Sequence, residues 1–150
     1  YSKVRIHINE KWQTKWNNSN KGRHLYQIQP TTTRNIRTHK NISREEQQVI
    51  NRLRTGKTLM QSSFGKYIPD RQNNSIYCPH CSEQETLHHI FNECHKYHNQ
   101  RENMKEYQQR IGSTTTYPDL LNQTKKNKKI ETTYKNIILY LKSIDKLQYI

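Results

Sequence analysis

The sharpest alternation of apolar and polar positions runs from residue 42 to residue 56. Val49, Ile50 and Leu53 fall on one helical stripe, with charged and amide side chains between them. Ser43 followed by Glu46 has the spacing of a capping box, in which side chain and backbone satisfy each other's unpaired donors, and Ile42 stands just before the cap. Gly56 suits a left-handed C-terminal stop, so the pattern predicts a helix over 44–54. A second helix is predicted over 96–111, with Tyr97, Met104, Tyr107 and Ile111 as its stripe, Arg101, Lys105 and Arg110 outside it, and Gly112 ending it. A third, over 131–147, presents Tyr134, Ile137, Ile138, Leu141 and Ile144.

The pattern is weaker between and before these. Leu59, Met60 and Phe64 suggest one or two helical turns stopped by Gly65, and Pro69, Asp70, Asn73, Asn74 and Ser75 mark a loop. Residues Glu83 to Glu93 read as helical, with Leu87, Ile90 and Phe91 facing inward. Near the N-terminus Val4, Ile6 and Ile8 alternate, and Trp12 and Trp16 follow at the spacing of a short helix. Gly22 punctuates a turn, and Leu25, Ile28 and Pro30 read as an extended piece. For the two tryptophans, core packing competes with docking onto a partner, and core packing is the simpler reading. Residues 31–42 are polar and basic without periodicity; Ser113 to Thr116 form a linker, and Pro118 stands where a helix can begin. The organisation expected is an N-terminal segment (1–40), a helical domain (41–112) and a linker with a C-terminal helix packing on it (113–150).

Composition narrows the energetics. Leu, Ile, Val and Phe together number 28 of 150 residues, just under the fifth at which a highly charged chain is suspected of disorder, although ten tyrosines and two tryptophans restore apolar area. The core must be small. A formal charge of +14 and a pI near 9.8 point to a polyanionic partner, RNA or DNA. The chain has no alanine and an excess of Asn, Lys, Ile and Tyr, the signature of coding DNA poor in G and C, so the ten arginines carry more weight here than the sixteen lysines. Arg34, Arg37, Lys40, Arg44, Arg52, Arg54 and Lys57 give residues 34–57 a net +5 and form the candidate phosphate-binding surface; a merely solvated helix face is the bland alternative. The basic run Lys125-Lys126-Asn127-Lys128-Lys129 is short, and such runs are usually solvated linkers. No apolar run approaches the length of a membrane span. The chain opens on Tyr1 rather than Met, as expected of a processed chain or a piece of something longer.

All three cysteines lie within seventeen residues, Cys78 to Cys94, with a pair of histidines between the second and the third. Zinc takes four ligands in a tetrahedron, and C-x-x-C lets one tight turn aim two sulfurs at one point. Cys78, Cys81 and Cys94 supply the thiolates and His89 the imidazole, giving C-x2-C-x7-H-x4-C; His88 points about 100° away on a helical turn. Three sulfurs and one nitrogen with no open position describe a structural metal. His80 and His95 read as exposed spares. A Cys78–Cys81 disulfide would leave Cys94 unpaired, a redox pair would call for a neighbouring βαβ pattern that is not present, and unrelated buried thiols would be scattered. The fold class expected is mainly α: short helices around a zinc knuckle, with an extended N-terminal segment.

Catalytic signatures are missing. There is no glycine-rich phosphate loop, no nucleophile elbow and no H-E-x-x-H, and Asp70, Asp119 and Asp145 have no partner carboxylate near in sequence. A non-enzymatic role is expected.

Trp12, Trp16, Lys21-Gly22-Arg23 and Pro30, then Asn51-Arg52-Leu53-Arg54-Thr55-Gly56-Lys57-Thr58, then the cysteine cluster with Glu85-Thr86-Leu87-His88-His89-Ile90-Phe91-Asn92-Glu93-Cys94, then Tyr97 and Arg101, resemble in order the carboxy-terminal region of insect-type non-LTR retrotransposon polyproteins. That region follows the reverse transcriptase and ribonuclease H domains, and the resemblance extends from about residue 10 to 145. It implies zinc ligation by Cys78, Cys81, His89 and Cys94 and an accessory, nucleic-acid-handling role without nuclease carboxylates. Where the family has histidine after the "RLRTG" glycine, this chain has Lys57. The expectation is therefore a zinc-stabilised module binding RNA or DNA in an intracellular, nuclear or nucleocytoplasmic setting. The alternative is a protein-interaction scaffold, docking onto upstream polymerase or ribonuclease H domains or acting as a domesticated or secreted effector.

Overall fold

A computed structural model describes residues 2–32, 41–60, 62–63, 67, 75–122 and 129–150. Among the described residues the regular structure is helical, with α1 (Ser2–Asn18), α2 (Arg23–Ile28), α3 (Arg44–Thr55), α4 (His98–Arg110) and α5 (Ile130–Ser143) joined by short 3-10 and π turns. None is long and apolar enough to cross a membrane.

Helix α3 forms as its sequence dictates. Ser43 Oγ accepts from the Glu46 N–H while the Glu46 carboxylate accepts from the Ser43 N–H, and Gly56 closes the C-terminus at φ +69°. Its stripe, Ile50 and Leu53 fully buried and Val49 partly so, meets α5. Helix α5 is the hub of the core: Tyr134, Ile137, Ile138 and Leu141 are buried against α3 and α4, each such aliphatic side chain contributing about 1.5–3 kcal/mol. Phe91 stacks on Tyr117 at 4.9 Å and lies tilted against Tyr140 at 5.3 Å, so the cysteine-rich segment shares this core.

Several expectations are corrected. Helix α1 takes in the Val4–Ile8 stretch expected to be extended as well as Trp12 and Trp16 at their helical spacing: among the described residues there is no sheet to pair with an isolated strand, and a helix satisfies its own backbone groups. Val4, Ile6, Ile8 and Trp12 stay exposed, so core packing fails for Trp12, whereas Trp16 is half-buried. The segment expected to be extended around Leu25 is α2, whose Arg23 guanidinium donates to the Trp16, Asn17 and Ser19 carbonyls and caps the end of α1. Leu59 and Met60 form a bend, not a helix. Residues 83–86 do not begin a helix, because their backbone pairs back onto the Cys78 turn; helical structure starts at Leu87. In α4 the buried residues are Arg101, Met104 and Gln108, while Tyr107 is exposed, so the expected stripe is rotated. Gln108 reaches the Thr133 carbonyl, and the Met104 carbonyl accepts from Asn136, so polar side chains serve this interface. Helix α5 ends at Ser143 and is followed by a 3-10 turn, Leu147–Tyr149. Phe64, Gly65, Pro69, Asp70, Asn73, Asn74, Lys125, Lys126, Asn127 and Lys128 lie outside the described residues.

Candidate metal centre

Two short turns assemble the site. In the first, the Cys78 N–H donates to the Glu83 carbonyl (2.7 Å) and the Ser82 N–H to the Cys78 carbonyl (3.0 Å), with Ser82 at φ +60° and Tyr77 bridged to Gln84. That knuckle turns Cys78 and Cys81 toward a common point. The second is a π turn, His89–Glu93, in which the Cys94 N–H donates to the His89 carbonyl at 2.8 Å. On an α-helix, residues five apart point about 140° away from each other at about 100° per residue. The wider i→i+5 turn, a form found frequently at functional sites, returns His89 and Cys94 to one face.

The ligand atoms of Cys78, Cys81, His89 and Cys94 all lie within 4.8 Å of one another. Cys94 Sγ stands 3.8 Å from Cys78 Sγ and 3.5 Å from Cys81 Sγ. A disulfide needs about 2.05 Å, whereas sulfurs bonded to one tetrahedral zinc at about 2.3 Å stand about 3.8 Å apart. His89 is buried, yet neither ring nitrogen has a hydrogen-bond partner; Glu93 Oε2 lies 3.6 Å from Nδ1. A buried ring nitrogen without a hydrogen bond costs about 1–3 kcal/mol unless something else engages it. Three sulfurs beside that imidazole fit a metal ion.

The two histidines separate cleanly. His88 is exposed and its Nδ1 faces Glu93 Oε1 at 3.1 Å, whereas His89 joins the sulfurs. His80 is exposed and edge-on to Tyr97. His95 is exposed as expected but not idle, because its Nδ1 lies 3.1 Å from Cys81 Sγ, a contact the spacing gave no sign of. Arg101, placed outside the stripe by pattern, is 4 % exposed and donates to the Cys94 carbonyl at 2.9 Å. Tyr140 Oη donates to the Ile90 carbonyl at 2.6 Å, one of the groups the π turn leaves free. Glu85 pairs with Lys146 at 2.5 Å, fastening the knuckle to the end of the chain.

The thiols differ in their surroundings. Burial, then the neighbouring Cys81 thiol, pushes Cys94 up to about 12. For Cys81 burial works in the same direction but is outweighed by the His95 backbone N–H, the Cys94 and Cys78 thiols and the Lys96 N–H, which together hold it below the usual thiol value. Burial, with Glu85 and the three thiols adding to it, raises Tyr97 to about 12.

The basic candidates are placed less uniformly. Arg44 and Lys57 are exposed; Arg52 is exposed and donates to the Ile150 main-chain oxygen; Arg54 is half-buried, donates to Gln29 Oε1, and burial holds its pKa below the ordinary arginine value. Arg54 therefore ties α3 to the residue following α2. Arg34, Arg37 and Lys40 lie outside the described residues. No family model, curated protein or solved structure matches the chain.

Proposed function

We propose that Cys78, Cys81, His89 and Cys94 hold one structural zinc ion, and that the chain is a non-catalytic RNA- or DNA-binding module of the kind found in the tail of non-LTR retrotransposon polyproteins. The observation that carries the metal is the buried imidazole of His89, neither ring nitrogen of which is hydrogen-bonded, within 4.8 Å of three sulfurs, Cys94 Sγ standing 3.8 Å from Cys78 Sγ and 3.5 Å from Cys81 Sγ. Zinc supplies a cross-link between the knuckle and the π turn and takes part in no reaction; every ligand position is filled by the chain. Zinc rather than a harder cation follows from the thiolate-rich donor set. Nucleic acid as partner rests on the charge of +14 and on exposed cations such as Arg44 and Lys57, which attract phosphate without reading sequence.

Elemental analysis of chain purified without chelator tests the metal: one equivalent of zinc is expected, and well under half an equivalent rejects it. Anisotropy titration of a labelled single-stranded oligonucleotide tests the partner. Affinity should fall steeply with salt, with a log–log slope of about −0.7 per phosphate contacted. A folded, zinc-loaded chain that binds neither RNA nor DNA at low salt rejects it. The second reading, a protein-interaction scaffold, is favoured by one observation, the exposure of Val4, Ile8 and Trp12 at four-residue spacing along α1.

A further inference from the structure

Away from the metal centre, α1 and the segment after α2 enclose a cleft of about 380 Å³ whose walls include Trp12, Lys15, Trp16, Leu25, Gln29 and Thr32. Its construction is rigid on one side. Trp16 Nε1 donates to the Gln29 carbonyl at 3.1 Å, and its ring lies 3.3 Å from where a Cβ on Gly22 would stand. Gln13 clamps the cleft's two walls together, donating to the Pro30 carbonyl at 2.8 Å and accepting from the Thr32 N–H at 2.8 Å. On the other side Trp12 is 60 % exposed, with the Lys15 ammonium 5.8 Å from its ring centre. Among the described residues, no carboxylate lines the cleft. Along α1, Lys3, Arg5, Lys11 and Lys15 stand against Glu10 alone.

We infer that this cleft receives an unpaired nucleobase of a single-stranded nucleic acid, stacked on the Trp12 indole, with Lys15 on the adjoining phosphate. The inference rests on the nucleic-acid reading above and gives it a location. The chemistry fits in two respects: an exposed indole offers a flat π surface to any base, and an adjacent cation neutralises the backbone. A duplex, with its bases stacked internally, does not present such a face.

Trp12 and Trp16 are the protein's two tryptophans, so intrinsic indole emission reports on this site directly. The probes are a twelve-residue oligo(dT), a phosphodiester of equal length with abasic sugars, and a duplex of equal length, each followed by both anisotropy and tryptophan emission. The result expected is quenching by oligo(dT) alone, with oligo(dT) bound about 5- to 150-fold more tightly than the abasic chain, the range for one stacked base. Trp12→Ala, at an exposed position that leaves the core intact, should erase that preference while abasic binding is unchanged. Lys15→Gln should weaken both by a similar factor.

Equal affinity for oligo(dT) and the abasic chain, or binding without change in emission, overturns the cleft while leaving the phosphate-driven reading in place. No binding of any probe at low salt by the zinc-loaded chain overturns both. A concentration-dependent dimer that Trp12→Ala dissolves, seen by sedimentation, assigns the face to a second copy of the chain and also overturns the inference.

Discussion

At the scale of single residues, the four proposed zinc ligands separate sharply from their neighbours. Cys78→Ser, His89→Ala and Cys94→Ser should each abolish stoichiometric tight zinc, whereas His88→Ala, one position away but exposed and paired with Glu93, should retain one equivalent by elemental analysis. Protons report on the same chemistry. With Cys94 held near 12, its thiol is neutral at pH 7, so zinc must displace a proton there, and affinity should rise with pH. In the metal-free chain the sign is opposite. A folded value raised above the ordinary 9.0 favours the protonated thiol, so that contribution to stability is complete below pH 9 and is lost as pH climbs toward 12. Calorimetry in buffers of differing ionisation enthalpy measures the protons released. Arg101 extends the site by one shell of contacts: it holds the Cys94 carbonyl, so Arg101→Met, which keeps the buried volume apolar, should weaken zinc about 10- to 100-fold in a competition with a chelating dye. The grouping of Cys78, Cys81, His89 and Cys94 was legible in the sequence because thiol and imidazole spacing encodes a turn. Arg101 was not, because pattern reading assigns arginine to solvent, and only the tertiary fold shows a carbonyl waiting for a buried guanidinium.

At the scale of elements, legibility follows where the determinant is local. Helix α3 carries its own start and stop signals, and both appear as expected; Ser43→Ala should cost about 1 kcal/mol, read as a lower denaturant midpoint at unchanged slope. Gly56→Ala should cost more, since it adds a Cβ in the left-handed region and places it 2.9 Å from the His24 ring. Helix α5 was equally plain from its apolar stripe. The π turn was not, because periodicity distinguishes 3.6 from 2.0 residues per repeat but carries no mark for one inserted residue, and the tie from Tyr140 to Ile90 that supports it spans fifty positions. The first half of α1, and α2, escaped for a related reason. Three alternating apolar residues resemble a strand until one asks what would pair with it, and the guanidinium of Arg23 that ends α1 lies beyond the helix it caps.

At the scale of the whole molecule, the sparse core would make the proposed zinc decisive. Phe91, Ile90 and Tyr97 of the cysteine-rich segment belong to the same core as α4 and α5, and Glu85 links that segment to Lys146 beyond α5. A structural zinc ion contributes on the order of 10 kcal/mol, against a net stability of about 5–15 kcal/mol for a domain. Without an ion, the buried His89 imidazole and the buried Cys78 and Cys94 sulfurs would face one another and the half-buried Cys81 sulfur with nothing to bind. The loss should therefore not stay local. Chelation is expected to accelerate amide exchange first across residues 76–97, then in α5 through Tyr140, and to abolish the near-ultraviolet signal of the Phe91–Tyr117 stack; added zinc should restore all three. Helix α1, joined to the rest through α2 and Gln29, should lose helicity last in relation to zinc and respond instead to Trp16 and Gln13 substitutions. A chain shown by elemental analysis to be zinc-free that keeps its melting temperature and its aromatic signal would mean that the apolar contacts of α3, α4 and α5 suffice alone, and that the cluster's geometry is maintained by the fold rather than the reverse.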